Sequence, residues 1–223
     1  GTRATAHVVD VSRLADVERW RDEGLAALGS VHVVVNNAGI TVFGTFEEHT
    51  VAQQDRLLGV NLMGVLHGCR AFLPELRRHR AAHIVNISSM AGYVGLPYQS
   101  LYCASKFAVR GLSQSLRAEL GVAGIGVTSV HPGAVRTGVM ANAPSHGPGT
   151  TGKLGELMLR FGLSPDTVAR RIVRAVRWNR AEIRMTLECH LTYLATRLAP
   201  TLLRWSMAGT MRLGQRVRAE LDP

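Results

Sequence analysis

Short apolar runs, each bounded by turn-forming residues, recur along the chain and predict buried strands. They cover residues 6–9, 31–35, 83–87 and 126–130. Continuous apolar runs are typical of strands that are covered on both faces of a parallel sheet. Stretches with apolar residues at helical spacing separate them, for example at 101–120. This alternation predicts an α/β fold with βαβ units, a parallel sheet and helices on both faces.

The last third of the chain has a different pattern. Gly, Pro, Asn, Ser and Thr dominate from Pro132 to about Gly155, which is too long for a simple connection, and we expect residues 138–163 to form a substrate lid. Ser164 and Pro165 are typical of an N-cap and a first helical position. A last strand is predicted at 183–187, and residues 187–223 form two amphipathic helices broken at Pro200. We expect these helices to pack on the core or on a partner subunit, in preference to a membrane surface.

Composition supports one globular domain over residues 1–223. The chain is 46% hydrophobic and 19% charged, the balance of an ordinary folded protein. A net charge of +10 favours anionic partners such as nucleotides, nucleic acid or acidic lipid headgroups. The arginines are spread along helices without interleaved aromatic residues, so solvated helix faces are predicted and nucleic-acid binding is not.

The three cysteines, Cys69, Cys103 and Cys189, have no CxxC spacing. This argues against a disulfide framework and against a zinc site, so we expect no metal and a reducing, cytoplasmic location. The sequence has no run of about 18 apolar residues free of charge, from which we predict a soluble protein without a membrane span.

Tyr102 and Lys106 lie four residues apart and therefore share one face of a predicted helix. Four further motifs accompany the pair in order: Asn36-Asn37-Ala38-Gly39 after a strand, Asn61 in the next helix, Ser88-Ser89 after another strand, and Pro132-Gly133 after a third. With this set, including Ser89 thirteen residues before Tyr102, the sequence resembles the short-chain dehydrogenase/reductase family from about Asp10 to Thr137. The resemblance implies a Rossmann-like, doubly wound sheet.

The resemblance also implies the roles of four catalytic residues. Tyr102 is expected to be the general acid–base, Ser89 to hold the substrate oxygen, Lys106 to bind the nicotinamide ribose, and Asn61 to orient a proton-relay water. Hydride transfer to a carbonyl builds negative charge on oxygen, which a positioned donor must neutralise. Free tyrosine has a pKa of about 10, so we expect the Lys106 ammonium to lower the pKa of Tyr102. Ser89 as a turn residue and Asn61 as a plain helix residue remain alternatives.

Further residues are expected to bind NAD or NADP. Asp10 and Val11 resemble the pair that contacts adenine, although Asp10 is equally suited to capping the next helix. The turn of Asn37, Ala38 and Gly39 is expected beside the adenine ribose and also to stabilise the sheet. Tyr102 and Lys106 complete the cofactor set together with residues predicted to meet the nicotinamide, namely Pro132, Gly133, Val135 and Thr137. Thr137 as a surface hydroxyl remains an alternative.

The family's glycine-rich phosphate turn is expected after a first strand, well before Asp10, and has no counterpart in this sequence, so we expect the first βαβ unit to be missing. The sequence is then either a piece of a longer protein or a natural truncation. Two other glycine patterns resemble a phosphate-binding loop but lack its context. The glycines from Gly121 to Gly126 follow a helix and precede a strand, the reverse of the required order, and predict a helix C-cap and turn. At Gly147–Lys153, Leu154 replaces the Ser or Thr of a P-loop.

We therefore expect an NAD(P)-dependent oxidoreductase that interconverts a secondary alcohol and a ketone. Apolar residues in and near the expected lid predict a lipophilic substrate: Leu96, Pro97, Val139, Met140, Leu157 and Met158. The resemblance also implies a homodimer or homotetramer. The alternative is a catalytically silent binding or scaffold protein that cannot hold the cofactor without the phosphate turn. Neither the preference between NAD and NADP nor the physiological substrate follows from the sequence.

Overall fold

The computed structural model describes residues 3–137 and 160–221, without the side chains of 210 and 213–221. Four parallel strands form one sheet in sequence order. Asn36 is in register with Asn86, and Ile87 with Val130, so the carboxyl ends of the first three strands meet at one edge. The strands are β1 (Val33–Asn36), β2 (Ala82–Ile87), β3 (Ile125–His131) and β4 (Glu182–Arg184).

Helices cover both faces of the sheet. On one face α1, α3 and α4 bury residues such as Val17, Val65 and Val109 against Val34, Ile84 and Val127 of the strands. On the other face α5 packs against Val85 and Val130. This is the doubly wound arrangement that the sequence predicts. The helices are α1 (Leu14–Leu28), α2 (Val51–Leu58), α3 (Gly64–Leu76), α4 (Ser100–Gly121), α5 (Pro165–Arg177), α6 (Leu187–Leu198) and α7 (Pro200–Leu221).

Local sequence explains where several helices begin and end. Ser164 caps α5 by accepting a hydrogen bond from the Thr167 N–H, with Pro165 at the first helical position, as predicted. α4 ends at Gly121, and Gly124 adopts a φ of 74° before β3. The glycines from 121 to 126 thus form a helix end and a turn rather than a phosphate loop.

Two strand predictions need correction. Residues 6–9 form no strand, because no neighbouring strand in the described chain supplies the hydrogen bonds of a ladder, and Val8 is almost fully exposed. The last strand is Glu182–Arg184, shorter than the predicted 183–187 because α6 begins at Leu187. The expected lid at 138–163 lies outside the described residues except for its last four.

The helical segment Val51–Leu76 comprises α2, a π-helical turn at Gly59–Met63, and α3. Among the described residues it is the one helix long and apolar enough to cross a membrane, with a hydropathy of 1.2. In the fold it buries Val65, Phe72 and Leu76 in the core on the sheet. Its apolar composition is therefore explained by packing on β1 and β2.

Candidate active site

Polar and glycine residues gather where the parallel strands end. Asn37–Gly39 follow β1, Ser88–Ser89 follow β2, and Pro132–Gly133 follow β3. Ligands of open α/β sheets bind at the carboxyl ends of the strands. The start of α4, which carries Tyr102 and Lys106, packs against the turn that follows Ser89.

Lys106 is a buried cation at the centre of this region. Its ammonium donates to the carbonyl of Ile87 at 3.0 Å and lies 5.6 Å from the centre of the Tyr102 ring. The side chain is only 4% exposed, and burial lowers the pKa of the ammonium to about 8. The helical spacing thus places the two side chains together, as expected for residues i and i+4.

The pKa of Tyr102 departs from the expectation. Burial raises the pKa of the phenol above its ordinary value, and a hydrogen bond with the Ser89 side chain offsets this only in part. The expected lowering by Lys106 is not found, because desolvation of the phenolate dominates. The phenol is therefore protonated at neutral pH.

Ser89 occupies a turn that fixes its hydroxyl. Its backbone is extended and caps the short 3₁₀ turn Met90–Gly92, and its Oγ accepts a hydrogen bond from the Ala91 N–H at 3.1 Å. The preceding residue, Ser88, donates to the carbonyl of Lys106 at 2.8 Å. The two serines differ in role, since Ser88 ties the turn to α4 and Ser89 contacts Tyr102.

Asn61 is fully buried in the π-helical turn. Its Oδ1 accepts from the Ile40 N–H at 2.8 Å, and its Nδ2 donates to the Ile40 carbonyl at 2.9 Å and to Ser105 Oγ at 3.3 Å. The Asn61 side chain thus joins the turn after β1 to α4. A π-turn within a helix often marks a functional site.

The surroundings of Lys106 fit a cofactor ribose. A Cβ atom on Gly39 would lie 3.5 Å from Lys106 Nζ and 3.5 Å from Asn61 Oδ1, so the absence of a side chain at Gly39 leaves space beside the ammonium. An ammonium has three donors, and Ile87 is the one acceptor recorded for Lys106 among the described residues. The remaining donors suit ribose hydroxyls. Asn37 and Ala38 are exposed next to Gly39.

Val11 lies against the start of α3, and Asp10 directly precedes it. The Asp10 carboxylate is exposed and accepts from the Ser12 N–H at 3.0 Å and the Ser12 hydroxyl at 2.7 Å, which lowers its pKa. It therefore closes a local turn, whereas the N-cap of α1 is Arg13. A Cβ on Gly64 would come within 2.8 Å of Val11 Cγ2, so Val11 packs closely on the helix that carries Asn61.

The segment after β3 is held by α6. A Cβ on Gly133 would come 2.3 Å from both Glu188 Oε1 and Thr186 Oγ1, so a side chain at this position would displace these two groups. Glu188 also accepts from the Ala134 N–H at 3.1 Å. Val135 pairs with Leu163 in a β-bridge. Of the other two predicted residues in this segment, Pro132 is half-buried and Thr137 is exposed.

Two residues that hold the site together were not among the predicted site residues, although His131 was expected to be a strand-end histidine with satisfied hydrogen bonds. Ser105 is fully buried and donates to the Tyr102 carbonyl at 2.7 Å while it accepts from Asn61. Its place inside the Tyr102–Lys106 motif was an available signal. The second, His131, gives no such signal, because its partner Ser89 lies 42 residues away.

His131 holds the backbone of Ser89 through a hydrogen bond. Burial lowers the pKa of the imidazole to about 4, so the ring is neutral near pH 7. Nδ1–H donates to the Ser89 carbonyl at 2.9 Å, which leaves Nε2 to accept from Ser129 Oγ at 2.9 Å. The Tyr93 ring lies against the imidazole at 4.3 Å. His131 is thus a strand-end histidine with satisfied hydrogen bonds.

Comparison with known proteins agrees with this fold. The family model of short chain dehydrogenases matches residues 1–147, and the chain belongs to that family. Its similarity to a short-chain dehydrogenase/reductase from Burkholderia phymatum, solved in complex with NAD, has a TM-score of 0.78 at 31% identity and covers 87% of this chain and 75% of that one.

Two curated relatives come from Mycobacterium tuberculosis. "Probable oxidoreductase EphD" is 41% identical over 213 residues, 92% of this chain and 36% of EphD. "3-alpha-(or 20-beta)-hydroxysteroid dehydrogenase" is 40% identical over 145 residues, 61% of this chain and 56% of that protein. The chain therefore spans about a third of the length of EphD and just over half of the other relative.

Proposed function

We propose that the protein is an NAD(P)-dependent oxidoreductase that interconverts a secondary alcohol and a ketone. The observation that carries this proposal is the joining of Tyr102, Ser89 and Lys106 at the carboxyl edge of the sheet, with a protonated phenol beside a buried ammonium. Membership of the short chain dehydrogenase family supports it.

Tyr102 is the proposed proton donor in ketone reduction. Because its pKa is raised, the phenol carries its proton at neutral pH and can deliver it to an oxygen that gains negative charge. The Ser89 hydroxyl, held by the Ala91 N–H, is placed to donate a second hydrogen bond to the same oxygen. Alcohol oxidation uses the same groups in reverse and requires the phenolate.

NAD or NADP, when bound, accepts or supplies the hydride. We assign the ribose to Lys106, whose ammonium has donors left beside Gly39. Asn61 acts through position: it fixes Ile40 and Ser105, and so holds the turn after β1 against the helix of Tyr102. The proposal also includes the relay water expected at Asn61. It further includes cofactor contacts for the other predicted residues, which are Asp10, Val11, Asn37, Ala38, Pro132, Gly133, Val135 and Thr137.

The remaining expectations concern substrate and setting. A lipophilic ketone or alcohol is supported by the similarity to a hydroxysteroid dehydrogenase, since steroids are lipophilic. The three cysteines are free and buried, which suits a reducing cytoplasm. We also propose self-association as a dimer or tetramer, as the family resemblance implies.

The test has two parts. The full-length protein is first titrated with NADH and NADPH by calorimetry, and we expect saturable binding of at least one of them. Oxidation of the bound cofactor is then followed by nicotinamide absorbance across ketones of increasing apolar size, with the larger ones expected to react faster. Absence of binding to either cofactor contradicts the proposal and favours the silent binding protein.

A further inference from the structure

The last two described helices have an unpartnered apolar face. Leu187, Leu191, Leu194 and Leu198 recur at the spacing of one side of α6, and α7 adds two exposed apolar residues, Leu202 and Trp205. Their exposed fractions range from 48% to 81%. We call these six residues the outer stripe. Large contiguous apolar surfaces mark sites of contact with a protein or a membrane.

The opposite side of α6 is already used by the fold. Cys189 is fully buried and donates to the His131 carbonyl at 3.3 Å, and Thr192 donates to Met90 Sδ at 3.4 Å. Tyr193 packs edge-on against Tyr93 at 5.2 Å. At 100° per residue these positions lie across the helix from the four leucines. The outer stripe therefore cannot turn inward without losing these contacts.

The exposed charge along α6 and α7 is positive. Arg197, Arg204 and Arg212 are exposed, and none forms an ion pair with a described acidic residue. Glu188 is the one acidic residue from Leu187 to Arg212, and its carboxylate is bonded inward to the Ala134 N–H. A helix pair with an apolar stripe, flanking arginines and an exposed tryptophan has the composition of an interfacial membrane anchor.

We propose that the outer stripe of α6 and α7 docks on an anionic lipid surface. The apolar side chains enter the boundary between headgroups and acyl chains, and the three arginines meet the negative charge of the lipids. Contact with a second copy fits less well. In a symmetric contact the stripe meets itself, which brings the arginines of both copies together without acidic partners in the stripe.

Docking by this face places the active site close to the lipid. The inner side of α6 contacts Met90, which follows Ser89, and the segment after Pro132. The site loops and the lipid surface thus lie on opposite sides of one helix, whose diameter is about 10 Å.

Vesicle sedimentation of the full chain tests the proposal without any activity readout. We expect binding to vesicles of phosphatidylglycerol mixed with phosphatidylcholine, little binding to phosphatidylcholine alone, and weaker binding at high salt. Leu198→Glu should weaken binding about tenfold or more, and Arg204→Glu about tenfold. Trp205→Glu serves as a second stripe variant, and circular dichroism checks that each variant folds.

Matched controls separate the stripe from overall charge and hydrophobicity. Val122→Glu changes an exposed apolar residue at the end of α4, and Arg70→Glu reverses an exposed charge on α3. Both should bind like the parent chain. Absence of binding to the anionic vesicles, or equal losses in these controls, overturns the proposal. So does light scattering that shows an oligomer dissociated by Leu198→Glu, since the stripe would then join copies of the chain.

Discussion

The charged side chain of Lys106 is buried. Because burial lowers the pKa of its ammonium to about 8, the group is charged below that pH and becomes neutral above it. We predict that kcat/KM for ketone reduction falls as the pH rises through about 8, since kcat/KM reports ionisations of the free enzyme. Steady-state rates across this range provide the measurement.

The matched variant is Lys106→Arg. A guanidinium keeps its charge to a pH above 12, so any activity that the variant retains should lose the fall near pH 8. A fall at the same pH in both proteins would assign it to another group and contradict the role of Lys106.

At the residue scale, the sequence predicts side chains whose spacing along the chain is short. Tyr102 and Lys106 share a helix face, and the structure places them together. The contacts of Asn61 with Ile40 and Ser105 and of His131 with Ser89 join residues 21 to 44 positions apart. Such contacts depend on how the strands align. The direction of the shift in the Tyr102 pKa was predicted wrongly, because it depends on the burial of the phenol, which the spacing of residues along the chain does not give.

At the scale of elements, α3 lies so close to β1 that a methyl group between them has no room. A Cβ on Gly68 would come 2.0 Å from Asn36 Oδ1, and Asn36 also donates to Asn86 at 2.8 Å. We predict that Gly68→Ala lowers the free energy of unfolding by about 1–3 kcal/mol. Urea denaturation measures the change.

Gly111→Ala is the control for Gly68→Ala. Gly111 lies inside α4, and its added Cβ would meet no atom within 4 Å. Alanine is the better helix former, so this variant should raise the free energy of unfolding by about 0.5–1 kcal/mol. Equal effects of the two substitutions would contradict the close packing of α3 on β1.

The elements themselves follow largely from the pattern of apolar residues. Strands at β1, β2 and β3, the cap of α5 at Ser164 and the break at Pro200 agree with the prediction. Residues 6–9 have the composition of a strand and form none. A strand is completed by hydrogen bonds to its neighbour, and apolar composition alone does not supply that neighbour.

At the scale of the whole molecule, two buried imidazoles make the free energy of unfolding depend on pH. Burial lowers the pKa of both His83 and His131 to about 4, against an ordinary value of about 6.5. Between these values the unfolded chain binds more protons than the folded chain. The free energy of unfolding should therefore be highest above about pH 6.5 and fall as the pH drops towards 4.

Urea denaturation at a series of pH values checks this prediction. Each histidine contributes up to about 1.4 kcal/mol per pH unit within the window. Because His83→Gln removes one of the two groups, the slope should decrease by about that amount, whatever the stability of the variant at neutral pH. An identical slope in the parent and the variant would show that His83 takes up no extra proton on unfolding.

The proposed oxidoreductase activity depends most directly on the Tyr102 hydroxyl. Tyr102→Phe removes the proton donor and keeps the ring, whereas Tyr98→Phe makes the same change four residues earlier, outside the proposed catalytic set. We compare kcat/KM for ketone reduction by nicotinamide absorbance in both variants. The account predicts a loss of about a thousandfold or more for Tyr102→Phe and near-parent activity for Tyr98→Phe. Parent-level activity in Tyr102→Phe would contradict it.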